Sequence, residues 1–337
     1  MKESPLMVDR MSGTVPPEYA SVSHRDVLAA RDRIAAHVRR TPLVRSHLLS
    51  KLSGQDVFLK LETLQHTGSF KVRGALNKVS MLTPAERARG VVAASAGNHA
   101  LGVAYACRAL GVDTVDLFVQ ATAAVSTLNR LDEYPANLHI VGANFEEAQQ
   151  AALQHVRKTG AVYVHAYDDP AVVAGQGTCG LEITDEIDGL AGIVVPVSGG
   201  GLIAGIAVAI KSLHPEVRVF GVNPEVSPSA LLSLQRGVAV DPFEHGATVA
   251  VPLAGGFGRV PFAVASGLID HIVLVSEEEL CRGVTTLIDT DQVLAEPAGA
   301  AAVAALRSGK IDCPGRLAVV VSGRNIDSQM LKTVLAR

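Results

Sequence analysis

The sequence has no tryptophan, and aromatic residues fill only 4% of its 337 positions. A core must therefore be built from Ala, Val, Leu and Ile, and the 48% apolar share is ample for that. Charge is also sparse, at 19% of residues with a formal net charge of −3. No cluster of Lys and Arg offers a footprint for nucleic acid or an anionic membrane. The four cysteines, Cys107, Cys179, Cys281 and Cys313, lie far apart. Without CxxC or metal-ligand spacing, neither a disulfide framework nor a structural metal site is expected, and reduced thiols of a cytoplasmic protein are. Met1 to Tyr19 lacks the apolar run of a signal peptide, so residues 1–20 read as a flexible tail. Charged residues are missing from Gly189 to Ile210, a stretch long enough to cross a bilayer. Pro196 and the run Ser198-Gly199-Gly200-Gly201 interrupt it, which predicts a buried strand, a glycine turn and a buried helix instead.

Short runs rich in β-branched residues alternate with helical patterns. Candidate strands are Val57–Leu61, Val91–Ala94, Val115–Val119, Leu138–Val141, Ala161–His165, Ile193–Val197, Val217–Val222, His271–Val275 and Leu317–Val321. Several are apolar on both faces, as buried parallel strands are. Val72, Ala75, Leu76, Val79 and Leu82 follow helical spacing, and the helical stretch Asn98 to Leu110 stops at Gly111. The alternation predicts an α/β fold of parallel sheets flanked by helices. The proline-rich stretch from Asn223 to Phe262 is the least regular and reads as surface structure near a site.

Four segments at strand-to-helix junctions could carry chemistry. Thr67-Gly68-Ser69-Phe70-Lys71 ends in a lysine that opens a helix, where burial and the helix terminus would free its amine as a nucleophile. A solvated lysine in a first turn shows the same pattern. Ser198-Gly199-Gly200-Gly201-Leu202 could turn its N–H groups onto a phosphate, or could be a tight turn for close packing. It matches neither the dinucleotide fingerprint nor a P-loop. Ser95-Ala96-Gly97-Asn98-His99 could seat a carboxylate, or could hold an ordinary capped histidine. Ser322-Gly323-Arg324-Asn325 follows the last strand, where ligand sites of α/β sheets form. Without catalysis, such turns would suit a nucleotide- or phosphate-binding protein.

Together these segments resemble the threonine dehydratase and serine racemase group of fold-type-II pyridoxal phosphate enzymes. The resemblance runs from about Arg40 to the C-terminus. It adds Arg40-Thr41-Pro42-Leu43, Gly175-Gln176-Gly177-Thr178 and Glu296-Pro297-Ala298-Gly299-Ala300 in the group's order. It implies a tryptophan-synthase-β-like architecture, with the cofactor between a large domain (21–85 and 166–337) and a small mobile one (86–165). Lys71 would carry pyridoxal 5′-phosphate as a Schiff base and act as the base at Cα. Phe70 would back the ring. Ser198, Gly199, Gly200, Gly201 and Leu202 would hold the phosphate. Asn98 would meet the ring hydroxyl, Ser322 the pyridine nitrogen, and Glu296 would lie among the cofactor contacts. Ser95, Ala96, Gly97, Asn98 and His99 would bind the substrate carboxylate.

The activity implied is dehydration of a β-hydroxy amino acid, such as L-threonine or L-serine, to a 2-oxo acid and ammonia. Racemases of this group carry Ser at the place of Ala96, which has no proton to give, so elimination is expected over serine racemisation. β-Replacement enzymes usually have Lys-Asp-Arg where this chain has Lys71-Val72-Arg73. Some relatives bind a divalent ion through a Glu where Asn223 stands here, and the later ligand place is Ser229, so no metal site is expected. Arg324 stands where Gly is common and would either bind a distal acid of the substrate or pack on the surface. Leu253-Ala254-Gly255-Gly256-Phe257-Gly258 looks more like the hydroxyectoine-utilisation branch. That leaves hydroxyaspartate, phenylserine and a hydroxyectoine-derived compound as further substrates. Relatives are usually dimers or tetramers, and a homodimer is the default. The chain ends soon after the last motif, so a C-terminal regulatory domain is not expected.

Overall fold

In the computed structural model, residues 21–337 are described, except Ala124. The expected tail over 1–20 lies outside the described residues. Among the described residues the strands in chain order are β1 (Leu43–Arg45), β2 (Asp56–Leu61), β3 (Val91–Ala94), β4 (Val115–Val119), β5 (Asn137–Ile140), β6 (Val162–Tyr163), β7 (Leu190–Pro196), β8 (Arg218–Pro224), β9 (His271–Val275) and β10 (Arg316–Val321). They form two sheets, a six-stranded one in the order β1-β2-β10-β7-β8-β9 and a four-stranded one in the order β5-β4-β3-β6. Every pairing is parallel except that of β1 with β2. The strands expected from sequence are all present, with the one at Ala161–His165 shortened to Val162–Tyr163. The short antiparallel β1 was not foreseen, because three edge residues show no periodicity.

The large sheet is covered on both faces. Ile193, Val195, Val219, Ala318 and Val320 enter one core cluster, while their neighbours Val194, Phe220, Leu317, Val319 and Val321 enter another. Alternation along each strand thus feeds two cores, which is why these strands read as unbroken apolar runs. The charge-free stretch resolves into β7, a turn and the helix Gly201–Lys211, buried from Gly201 to Ile210. Among the described residues no helix is long and apolar enough to cross a membrane.

Close helix crossings set the geometry of the site. The helix Pro170–Thr184 starts at an Asp169 cap followed by proline, and Val172 to Ile183 are buried. A Cβ on Gly205 would lie 2.5 Å from the Gly177 nitrogen and 2.3 Å from the Val173 carbonyl. A Cβ on Gly175 would lie 2.7 Å from the Arg73 carbonyl. These contacts bind the helices that begin at Lys71, Pro170 and Gly201 into one block. By packing, the helix Lys71–Ser80 shares its core with the small sheet: Val72, Ala75, Leu76 and Val79 lie in one cluster with Val91, Ala93 and Leu117.

Candidate active site

All four chemistry-bearing turns lie beyond the C-terminal ends of parallel strands, and the structure brings them together. The Lys71 loop leaves β2 through the short turn Glu62–Leu64. Ser69 pairs with Gly323 in an isolated bridge, and Phe70 N–H donates to the Ser322 carbonyl at 3.1 Å. Arg324 N–H donates to Gly68 O at 2.9 Å, so the lysine loop is stitched to the loop after β10. Lys71 Nζ donates to the Ala166 carbonyl at 2.9 Å and lies 5.1 Å from the centre of the Phe70 ring. Burial lowers its amine to about 8.

Close to Lys71 along the chain lies a buried cluster of charge. Two residues on, Arg73 donates from Nε to Glu62 Oε2 at 2.8 Å. Its terminal nitrogens donate to the two carboxylate oxygens of Glu182, at 2.7 and 2.9 Å. Lys60 meets Glu182 at 2.6 Å and the Thr41 carbonyl at 2.7 Å, while Thr41 Oγ1 donates to Glu62 at 2.6 Å. Two cations thus balance two anions. Burial raises the cost of charging Glu62, but Arg73 outweighs it and holds the carboxyl below its ordinary range. Thr41 and Thr178 of the family-like motifs serve this cluster, Thr178 by accepting from Arg73 at 3.1 Å. The sequence reading missed Lys60, Glu62 and Glu182. The available signal was a charge embedded in the apolar runs of β2 and of the helix Pro170–Thr184.

The glycine loop follows β7. Gly200 has φ of 86°, and a Cβ there would lie 2.4 Å from the Phe257 ring. Tyr167 is pressed onto Gly199, where a Cβ would fall 2.1 to 2.5 Å from its ring atoms. Close packing is therefore realised here. The five N–H groups from Ser198 to Leu202 nevertheless find no acceptor among the described residues. A run of unpaired N–H groups at the start of a buried helix suits an anion. The hydroxyls of Thr67 and Ser69 are likewise buried without a partner among the described residues. These donors and the lysine amine fit a phosphate-bearing aldehyde such as pyridoxal phosphate.

Beyond β3, Ser95 Oγ accepts from Gly97 N–H at 3.2 Å, and the helix Asn98–Leu110 begins without a side-chain cap. Its first N–H groups, Asn98 to Ala100, have no acceptor among the described residues. His99 is only 3% exposed and gives its Nε2 proton to the Val164 carbonyl at 2.8 Å. Burial drives its pKa down to about 3, so it is a neutral ring spent on an internal bond. Asn98 Nδ2 donates to Glu296 Oε1 at 2.7 Å, and Asn98 Oδ1 accepts from Asn325 Nδ2. Glu296 opens the helix Pro297–Arg307, and burial raises its carboxyl to about 7. Gly323 leaves room for that carboxyl, since a Cβ would lie 2.3 Å from Glu296 Oε1. Ser322 is 6% exposed beside these groups, and Arg324 is exposed.

The departures from the family pattern have structural counterparts. Asn223 is fully buried, with Nδ2 donating to Val197 O at 2.9 Å and Oδ1 accepting from Ala230 N–H at 3.2 Å. Both ends of its amide thus hold the loop after β8 to the entry of the glycine turn. The irregular stretch does reach the site. Ser198 Oγ donates to Ala254 O at 3.3 Å, Phe257 covers Gly200, and Tyr167 donates its hydroxyl to Asp241 at 3.0 Å. Burial raises the pKa of both Tyr167 and Asp241. Sequence reasoning passed over Tyr167, Asp241 and Arg130, none of which sits in a recognisable spacing.

A model of the family described as pyridoxal-phosphate dependent enzyme matches residues 34–323. The chain is 43% identical over 316 residues to an L-threonine ammonia-lyase of Thermotoga maritima, covering 93% of this chain and 78% of that one. It is 41% identical over 310 residues to the catabolic L-threonine dehydratase TdcB of Escherichia coli, covering 90% and 92%. Among solved structures, the processed form of threonine deaminase isoform 2 from Solanum lycopersicum superposes with a TM-score of 0.86 at 30% identity, covering 98% and 99%. Maize serine racemase superposes with a TM-score of 0.89 at 28% identity, covering 94% and 98%.

Proposed function

As the chain belongs to the family of pyridoxal-phosphate-dependent enzymes, we propose that it is an ammonia-lyase that dehydrates a β-hydroxy amino acid, L-threonine or L-serine, to a 2-oxo acid and ammonia. One observation carries the reading. A lysine amine lowered to about 8 converges with the unpaired N–H groups of Ser198–Leu202 and the helix start at Asn98.

Bound pyridoxal phosphate supplies the electron-withdrawing ring that makes the substrate Cα proton removable. The N–H groups from Ser198 to Leu202 would hold its phosphate, Phe70 would back its ring, and Asn98 and Glu296 would flank its ring oxygen. Ser322 would meet the pyridine nitrogen. A hydroxyl there would not force that nitrogen to stay protonated as a carboxylate would, so the ring would be a weaker electron sink, which suits elimination. The substrate carboxylate would take the free N–H groups of Asn98 to Ala100, with Ser95 beside them. Burial, which lowers the Lys71 amine to about 8, favours the unprotonated form, and that amine would accept the Cα proton. Ala96 offers no second acid or base on the far side of Cα, which separates this reading from racemisation.

We assign residues 21–85 and 166–337 to a large unit and 86–165 to a small one that moves against it. The separate small sheet β5-β4-β3-β6 supports this division. The four cysteines of the chain are free and buried, which suits the cytoplasm, and a homodimer is the proposed assembly. The test is a panel of L-threonine, L-serine, hydroxyaspartate and phenylserine, assayed by 2-oxo acid release with cofactor-loaded protein. Release from threonine or serine is expected, together with borohydride-fixed label on Lys71. Faster interconversion of L- and D-serine than pyruvate formation, or no 2-oxo acid from any member, would overturn the reading.

A further inference from the structure

The side chain of Asn325 lies between two residues of the small-sheet unit. Arg130, in the helix Val125–Leu131 that follows β4, donates from one guanidinium nitrogen to Asn325 Oδ1 and from the other to the Thr67 carbonyl at 3.1 Å. Asn325 Nδ2 donates to that same Thr67 carbonyl at 2.9 Å and to Asn98 Oδ1. Asn98 Nδ2 in turn donates to Glu296 Oε1 at 2.7 Å. A guanidinium has donors only, so whatever faces it must be an oxygen. That requirement orients the Asn325 amide, which then presents a donor to Asn98. Asn98 must answer with its oxygen, and its nitrogen is left toward the buried carboxyl. The amides point one way because Arg130 cannot accept and the Thr67 carbonyl, which takes one bond from each of Arg130 and Asn325, cannot donate.

We propose that Arg130 is a positioning residue that fixes, through Asn325, the orientation of the Asn98 amide. The inference rests on the reading that Asn98 contacts the cofactor. One Nδ2 hydrogen of Asn98 is used on Glu296, and the second remains for an oxygen of the cofactor ring. If Arg130 is lost, Asn325 Oδ1 loses its donor and only the Thr67 carbonyl still favours the present orientation of that amide, so the preference passed on to Asn98 weakens. An Asn98 oxygen would then face the ring oxygen, exchanging attraction for repulsion. The same guanidinium joins the small-sheet unit to Thr67, four residues before Lys71, so the donor pattern is complete only when that unit sits against the lysine loop.

The experiment compares Arg130→Met, Arg130→Lys, Asn325→Ala and the Arg130→Met/Asn325→Ala double variant. Pyridoxal phosphate is titrated into each apo-protein, with affinity and the absorption bands of the bound cofactor as readouts. Melting of the apo-protein is followed separately. Arg130→Met should bind roughly tenfold more weakly, the scale of one charged hydrogen bond. It should also lose visible absorbance to the near-ultraviolet band. Arg130→Lys should recover part of both, because one ammonium serves one acceptor of the pair well. The double variant should be no worse than Asn325→Ala, since both act on one chain of contacts. A lower melting temperature with unchanged bands and affinity would mark Arg130 as merely structural and overturn the proposal. So would effects of the two substitutions that multiply independently. Neither readout requires turnover, so its failure leaves the dehydratase reading intact, and absent turnover leaves this proposal intact.

Discussion

Arg73 and Glu62 form a two-pronged ion pair at 2.8 and 2.7 Å, with both side chains completely buried. Removing one partner strands the other's charge away from water. Arg73→Met should therefore cost about 3–5 kcal/mol, read by urea unfolding of the apo-protein. Adding Glu62→Gln should give back part of that loss, because the stranded charge is removed too. Equal costs for the single and double variants would contradict this account.

Glu296 makes stability depend on pH. Its folded pKa of about 7 lies above the ordinary 4.5, so the folded state favours the protonated carboxyl. Its contribution is fully present below about 4.5 and is lost as pH rises through about 7. Glu296→Gln should therefore gain melting temperature relative to the parent as pH goes from about 5 to about 9. The upper bound is about 3 kcal/mol. A constant difference across that range would show that Glu296 is not held as described.

Gly205 should resist even one methyl. Its Cβ would meet the Val173 carbonyl and the Gly177 nitrogen, both backbone atoms that no rotamer change can move. Gly205→Ala should cost about 1–3 kcal/mol by forcing the helices Pro170–Thr184 and Gly201–Lys211 apart. Because the second of these helices carries the glycine loop, cofactor affinity should fall as well, measured by titration of the apo-protein.

Ala96→Ser should create a group able to exchange a proton across Cα from Lys71. Interconversion of L- and D-serine, followed by chiral chromatography, should rise at least about tenfold from the parent level, within the range a positioned acid or base supplies. An unchanged rate would mean that residue 96 does not face Cα.

Much of this was legible in the sequence. The bounds of β3, β4 and β9 are those the apolar runs suggest, because β-branched residues buried on both faces leave an unbroken signal. The turns at Lys71, Ser95, Ser198 and Ser322 were also legible, since Gly, Ser and Asn mark where parallel strands hand over to helices. Lys60, Glu62 and Glu182 were not, because a lone charge usually means a wet surface and the balancing partners lie far off along the chain. His99 stood out for its residue type, yet its proton is committed to Val164, a contact made only once β3 and β6 pair. Arg130 was invisible for a related reason: what it does depends on two amides from other parts of the chain.

The tyrosine pressed onto the glycine loop has an optical consequence. A chain without tryptophan emits through tyrosine alone, and this one has five. Tyr167 lies against Gly199, at the seat proposed for the phosphate. Quenching of that weak phenolic glow would then report filling of the seat directly, with no dye, no label and no coupled assay.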